Sequence, residues 1–211
     1  FELRGKTLGL IGYGNIGTQL SVMAEAMGMR VQFYDIETKL PLGNAQARKS
    51  IKEIVGSSDI ISLHVPETNQ TKNLINKALI KQFKTGSILV NYARGEVVDL
   101  DALAEAIKEK NIAGAAIDVF PVEPEKNGFA FTTPLQGLSN VLLTPHIGGS
   151  TEEAQENIGE DVSIKLYQYL ERGVSNGSHT IPSLSLPPVD GAHRILPVSY
   201  THLTLPTNRE V

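Results

Sequence analysis

The sequence contains no cysteine. This excludes a disulfide framework, thiolate metal sites and a cysteine nucleophile, and it fits a reducing compartment such as the cytoplasm. There is no excess of positive charge: 19 Lys and Arg against 23 Asp and Glu leave a formal net charge of −4, the wrong sign for a basic nucleic-acid-binding protein. No apolar run approaches the roughly 18 residues of a membrane span, and Phe1-Glu2-Leu3-Arg4 is not a signal peptide. The first residue is not methionine, so the chain is expected to be part of a longer protein. What is present, 211 residues with 41% hydrophobic and 20% charged side chains, is enough for one sizeable globular core.

The apolar residues fall into short strand-like runs separated by helical spacing. Thr7 to Ile11 reads as a buried strand, Ile16 to Met27 as a helix and Val31 to Tyr34 as the next strand, together one βαβ unit. Further strands are expected at Ile60 to Val65, Ser87 to Asn91, Ile112 to Ile117 and Val141 to Leu143, with helices at Asn76 to Phe83 and Leu100 to Lys110. This alternation predicts an α/β fold with a doubly wound parallel sheet. Prolines and glycines between Val119 and Asn140 mark a long loop expected to carry part of a site. A helix follows from Thr151 to Arg172, capped by Ser150 or Thr151 and ended by Gly173.

The expected organisation is therefore a cofactor domain over residues 1–150, a helix over 151–173, and a proline-rich, poorly ordered linker over 174–197. Residues 198–211 resemble translated sequencing-adapter sequence and are expected to be a non-native tail.

Gly12-Tyr13-Gly14-Asn15-Ile16-Gly17 is a GxGxxG between the first strand and the first helix. The first glycine permits a tight turn, the second lets the backbone approach a pyrophosphate, and the third allows close helix–strand packing. The helix N-terminus then faces the phosphates. Glycine-rich turns also arise for steric reasons alone, so the next signal matters. Asp35 ends the second strand, where its carboxylate can accept hydrogen bonds from the ribose hydroxyls and would repel a 2′-phosphate, favouring NAD over NADP. Lys39 is near enough to complicate that preference, and the plainer reading of Asp35 is that it only starts a turn.

Three residues follow strand ends, where ligands bind in open α/β sheets: Arg94 after the Ser87 strand, Glu123 after the Ile112 strand, and His146 after the Val141 strand. Taken singly, they read as a surface ion-pair partner, a solvated loop charge and a surface or core histidine. Together they suit oxidation of a hydroxy acid. Arginine offers a planar, permanently charged fork to a carboxylate, histidine shuttles the hydroxyl proton, and a neighbouring glutamate orients the imidazole and stabilises its protonated form.

With Tyr34-Asp35-Ile36, Leu63-His64-Val65-Pro66, Asn91-Tyr92-Ala93-Arg94-Gly95, Ala116-Ile117-Asp118-Val119-Phe120, Glu123-Pro124 and Thr144-Pro145-His146-Ile147-Gly148-Gly149 added, residues 1–173 resemble the D-isomer-specific 2-hydroxyacid dehydrogenases. The resemblance implies a Rossmann domain binding NAD, with Arg94 as the substrate-orienting arginine, His146 as acid/base and Glu123 as its partner. It implies cofactor contacts from Gly12, Gly14, Asn15, Ile16, Gly17 and Asp35, and from His64, Val65 and Pro66. It extends these to Asn91, Ala93, Arg94, Asp118, His146, Gly148 and Gly149, with Asp118 near the nicotinamide carboxamide, and it implies no metal.

The stretch Tyr34 to Asn44 points within the family to oxidation of 3-phosphoglycerate to 3-phosphohydroxypyruvate, the entry to serine biosynthesis. The alternatives are another D-2-hydroxy acid of the glyoxylate or lactate type, and a non-catalytic NAD-sensing protein. The resemblance also implies a substrate-domain segment before Phe1, a regulatory domain after Gly173, and a homo-oligomer built through the cofactor domain. The isolated chain is accordingly expected to be inactive.

Overall fold

A computed structural model describes residues 2–124, 131–178, 181, 183–185 and 187. The expected tail at 198–211 and most of the expected linker lie outside the described residues. The chain divides into two compact units, Phe1–His146 and Ile147–Val211.

Among the described residues, the first unit is built on seven strands: β1 (Thr7–Ile11), β2 (Arg30–Tyr34), β3 (Gln46–Ala47), β4 (Ile60–Leu63), β5 (Ser87–Asn91), β6 (Ile112–Ile117) and β7 (Val141–Leu143). Between them run the helices α1 (Asn15–Ala26), α2 (Ile51–Ser57), α3 (Lys77–Ile80) and α4 (Leu100–Lys108). The sheet order is β3-β2-β1-β4-β5-β6-β7 and every pairing is parallel. Strand order reverses between β1 and β4, which makes their carboxyl ends the crevice in which such sheets bind ligands.

A parallel sheet buries both faces, and its strand residues divide accordingly. Leu8 and Leu10 of β1 join Val31 and Phe33 of β2 beneath Ala24 of α1 in one core cluster. Ile11 belongs to the larger cluster with Ile54 and Val55 of α2, Leu63, Leu89 and Ile117. Gly9 is where α2 comes closest, since a Cβ there would lie 2.1 Å from Ser58 Oγ and 2.6 Å from Ile54 Cγ2.

Four elements differ from expectation. β4 stops at Leu63 instead of Val65; His64 N still donates to Ile11 O, and Pro66, with no N–H, bars any extension beyond Val65. The helix expected over 76–83 is only Lys77–Ile80, because Gln82 N and Phe83 N bond three residues back, to Leu79 O and Ile80 O, in tightened turns. The short β3 and α2 were not anticipated, although Ser50-Ile51-Lys52-Glu53 has the spacing of a capping box and Ser50 Oγ does accept from Glu53 N at 3.3 Å.

In the second unit, Thr151 caps α5 (Glu152–Arg172) by accepting from Ala154 N, and Gly173 ends it at φ 61°. No residue of α5 is buried; Ile158, Val162, Leu166 and Leu170 are exposed. Beyond it, Ser175 N donates to Leu184 O at 2.9 Å and Leu184 N to Ser175 Oγ at 3.0 Å, a local loop within the stretch read as a linker.

Candidate active site

The glycine-rich turn joins β1 to α1. Gly12 has φ 95°, a conformation that strains any residue with a side chain, and a Cβ there would lie 2.3 Å from the His64 carbonyl oxygen. A Cβ on Gly17 would lie 2.4 Å from Gly12 O, so the third glycine closes the helix against the turn itself rather than against the strand. Gly14 differs from both: a Cβ there meets nothing within 4 Å. Its spare space faces outward, beside the exposed Asn15 and Ile16. Gly14 is also the N-cap of α1 and provides no side-chain cap, so the first N–H groups of the helix are left to attract an anion. A narrow turn, an open cradle at its middle glycine and an uncapped helix start fit a dinucleotide pyrophosphate.

Asp35 follows β2 and is half-buried. Its Oδ2 accepts from Tyr13 N at 2.7 Å and its Oδ1 from Glu37 N at 2.9 Å. It therefore does start a turn, as the plainer reading held, and it also ties the glycine-rich loop to the end of β2. His64, just past β4, donates its backbone N–H to Ile11 O at 2.7 Å, and its Nε2 lies 3.0 Å from Ser62 Oγ. Burial holds its pKa below the usual imidazole value. Val65 is half-buried and Pro66 exposed.

The far side of the crevice is assembled by loops after β5, β6 and β7. Asn91, fully buried at the end of β5, accepts from Ala93 N at 3.1 Å and donates through Nδ2 to Arg94 O at 2.9 Å, folding the turn that carries Arg94. Arg94 is exposed and its Nη1 donates to Ala93 O at 2.6 Å; among the described residues it bonds to neither Glu123 nor His146. A Cβ on Gly95 would lie 2.1 Å from the Phe120 carbonyl carbon. The loop bearing Arg94 and the loop bearing Glu123 therefore touch backbone to backbone, a role for Gly95 that its place after Arg94 could have signalled.

Glu123 and His146 meet directly. His146 Nδ1 lies 3.0 Å from Glu123 Oε1 and 2.9 Å from Oε2, and Oε1 also accepts from Phe120 N at 2.9 Å. With Nδ1–H donated to the carboxylate, Nε2 is the basic atom of the ring. Both side chains keep substantial exposure, 43% for His146 and 36% for Glu123, so a reactant can reach them. His146 has φ 53°, an uncommon conformation for a residue with a side chain. Asp118 Oδ1 holds it there by accepting from His146 N at 3.0 Å and from the Thr144 hydroxyl. Thr144 is a second contributor that the strand pattern alone did not single out. Gly148 and Gly149 belong to the second unit, where a Cβ on either meets nothing within 4 Å.

A GxGxxG cradle at a strand-order reversal, an acidic residue just past β2 and a histidine–carboxylate pair after later strands all lie at the carboxyl edge of the sheet, where open α/β folds bind ligands. Residues 1–148 match the family described as D-isomer specific 2-hydroxyacid dehydrogenase, NAD binding domain. The chain belongs to this family, and its first unit is the NAD-binding domain.

The chain is 57% identical over 195 residues to D-3-phosphoglycerate dehydrogenase of Haemophilus influenzae, and 54% identical over 196 residues to that of Escherichia coli. These matches take in 92% and 93% of the chain and 48% of each relative, so the chain spans about half the length of the curated relatives it matches. Among solved structures, the NAD-complexed D-isomer specific 2-hydroxyacid dehydrogenase of Lactobacillus delbrueckii superposes with a TM-score of 0.72 at 30% identity, over 81% of this chain and 54% of that one.

Proposed function

We propose that this chain is the cofactor half of an enzyme that oxidises D-3-phosphoglycerate at C2 to 3-phosphohydroxypyruvate. The His146–Glu123 pair is the observation that carries the chemistry; the names of the H. influenzae and E. coli relatives supply the substrate.

NAD, when bound, supplies the acceptor for the hydride from C2. Gly12, Gly14, Asn15, Ile16 and Gly17 would hold its pyrophosphate, and Asp35 would accept from its ribose hydroxyls. His64, Val65 and Pro66, past β4, and Asn91, Ala93 and Asp118, at and past the ends of β5 and β6, would contact the rest of the dinucleotide. Arg94 presents its guanidinium to the substrate carboxylate and polarises the reacting C–O bond. His146 takes the C2 hydroxyl proton at Nε2 while Glu123, on Nδ1–H, fixes the ring and balances the resulting positive charge. In the reverse direction, Nε2 returns that proton. Location in the cytoplasm and assembly as a homo-oligomer through the cofactor domain belong to the same reading; sedimentation of the purified chain tests the assembly.

The test is a chimera in which this chain replaces the matching segment of the H. influenzae relative. It is expected to reduce NAD with 3-phosphoglycerate, and His146→Ala is expected to lower kcat by about 10²-fold or more. Turnover of glyoxylate- or lactate-type acids in place of 3-phosphoglycerate would move the substrate assignment. NADH binding without turnover of any hydroxy acid would favour an NAD-sensing role.

A further inference from the structure

Between Asp35 and Leu42 the chain is pinned at both ends to Tyr13. Tyr13 N donates to Asp35 Oδ2 at 2.7 Å, and the Tyr13 hydroxyl accepts from Leu42 N at 3.2 Å. Tyr13 itself is 1% exposed, stacked on Phe33 with ring centroids 3.7 Å apart and linked to Ser21 Oγ at 2.9 Å. The loop between these pins therefore has little freedom, and it carries Lys39, a cation close enough to feel the Asp35 carboxylate.

A cation beside the residue that meets the adenosine ribose, most often an arginine, is the usual means of accepting a 2′-phosphate, and Lys39 supplies such a charge as an ammonium. Here the ammonium is already engaged, because Lys39 Nζ donates to Glu37 Oε2. That hydrogen bond, with the charge of Glu37 and then of Asp35, holds the Lys39 pKa above its ordinary value. Glu37 is itself positioned by donating its backbone N–H to Asp35 Oδ1 at 2.9 Å. The Lys39 side chain is 34% exposed and that of Glu37 70%, so a ligand arriving from solvent meets the carboxylate first. Two carboxylates and one ammonium leave a net negative charge where a 2′-phosphate would sit.

We propose that Glu37 is a specificity-determining residue for the dinucleotide, withholding the Lys39 ammonium from a 2′-phosphate. Asp35 repels that phosphate directly; Glu37 removes the one cation that could have compensated. This rests on the reading of the crevice as an NAD site, and the experiment separates the two.

The probes are NADH and NADPH, titrated calorimetrically into the 211-residue chain and its Asp35→Asn variant, which removes the first repulsion but keeps an acceptor for the loop. Glu37→Gln is then added, followed by Lys39→Met. Glu37 is exposed and Lys39 half-buried, and Lys39→Met keeps a side chain of similar length, so both added changes are expected to leave the fold intact. Adding Glu37→Gln is expected to tighten NADPH by about tenfold with NADH changed by less than about threefold. Lys39→Met is expected to erase that gain, and raised salt to shrink it. NADPH affinity that is unchanged or still undetectable after Glu37→Gln, or a gain that survives Lys39→Met, overturns the proposal. Failure of the unaltered chain to bind NADH would instead overturn the nucleotide reading beneath it.

Discussion

The three glycines of the cofactor turn have the same side chain and different duties, which substitution separates. Gly12→Ala forces a Cβ into the His64 carbonyl at a φ of 95°, and should cost roughly 3 kcal/mol of stability, read as a lower urea midpoint. Gly14→Val places its side chain in open space at a permitted φ of −86°. It should change stability by less than about 0.5 kcal/mol while abolishing NADH binding, because the pyrophosphate needs that space. His64 provides a pH signature. Burial lowers its pKa in the folded state, so folding favours the neutral ring. That stability is fully present above the unfolded value of about 6.5, declines as pH falls below it, and is lost once pH has dropped through the depressed folded value. Urea midpoints for the native chain and His64→Gln should therefore converge in part as pH falls from 7.5 through this window; parallel curves would show that His64 contributes nothing.

Elements whose residues carry a strong local signal were legible in the sequence. β1, β5, β6 and β7 lie where their β-branched and apolar runs place them, since buried parallel strands need continuous apolar side chains. β3 could not be read, because Gln46 and Ala47 are exposed and pair with β2 over only two positions. α2 is seven residues long with two buried side chains, too short for helical periodicity to show, and only its capping box announced it. Of the residues singled out for their chemistry, Asp35, Arg94, Glu123 and His146, the structure brings Glu123 and His146 into direct contact. The contacts that position these residues were less legible: the Gly95 backbone against that of Phe120, and the Thr144 hydroxyl on the Asp118 carboxylate. Element stability follows from the same contacts. Asp99 caps α4 by accepting from Ala102 N at 3.0 Å, and Asp99→Ala should cost about 1 kcal/mol by equilibrium denaturation. Ile54, fully buried between α2 and β1, should cost about 2–5 kcal/mol when cut to alanine.

At the scale of the whole molecule, the parallel sheet directs the loops after β1, β2, β4, β5, β6 and β7 to one edge, so residues distant in sequence from Gly12 to His146 share that edge. The family match over residues 1–148 ends close to the first unit's boundary at His146. The cofactor reading proposed for that unit is testable without turnover. Calorimetric titration of the 211-residue chain with NADH, repeated on Asp35→Ala with folding verified by circular dichroism, tests this most directly. Saturable binding of NADH that weakens by about tenfold or more in Asp35→Ala is the predicted result. A folded chain that binds no NADH, or binds it equally well without the Asp35 carboxylate, would contradict the account.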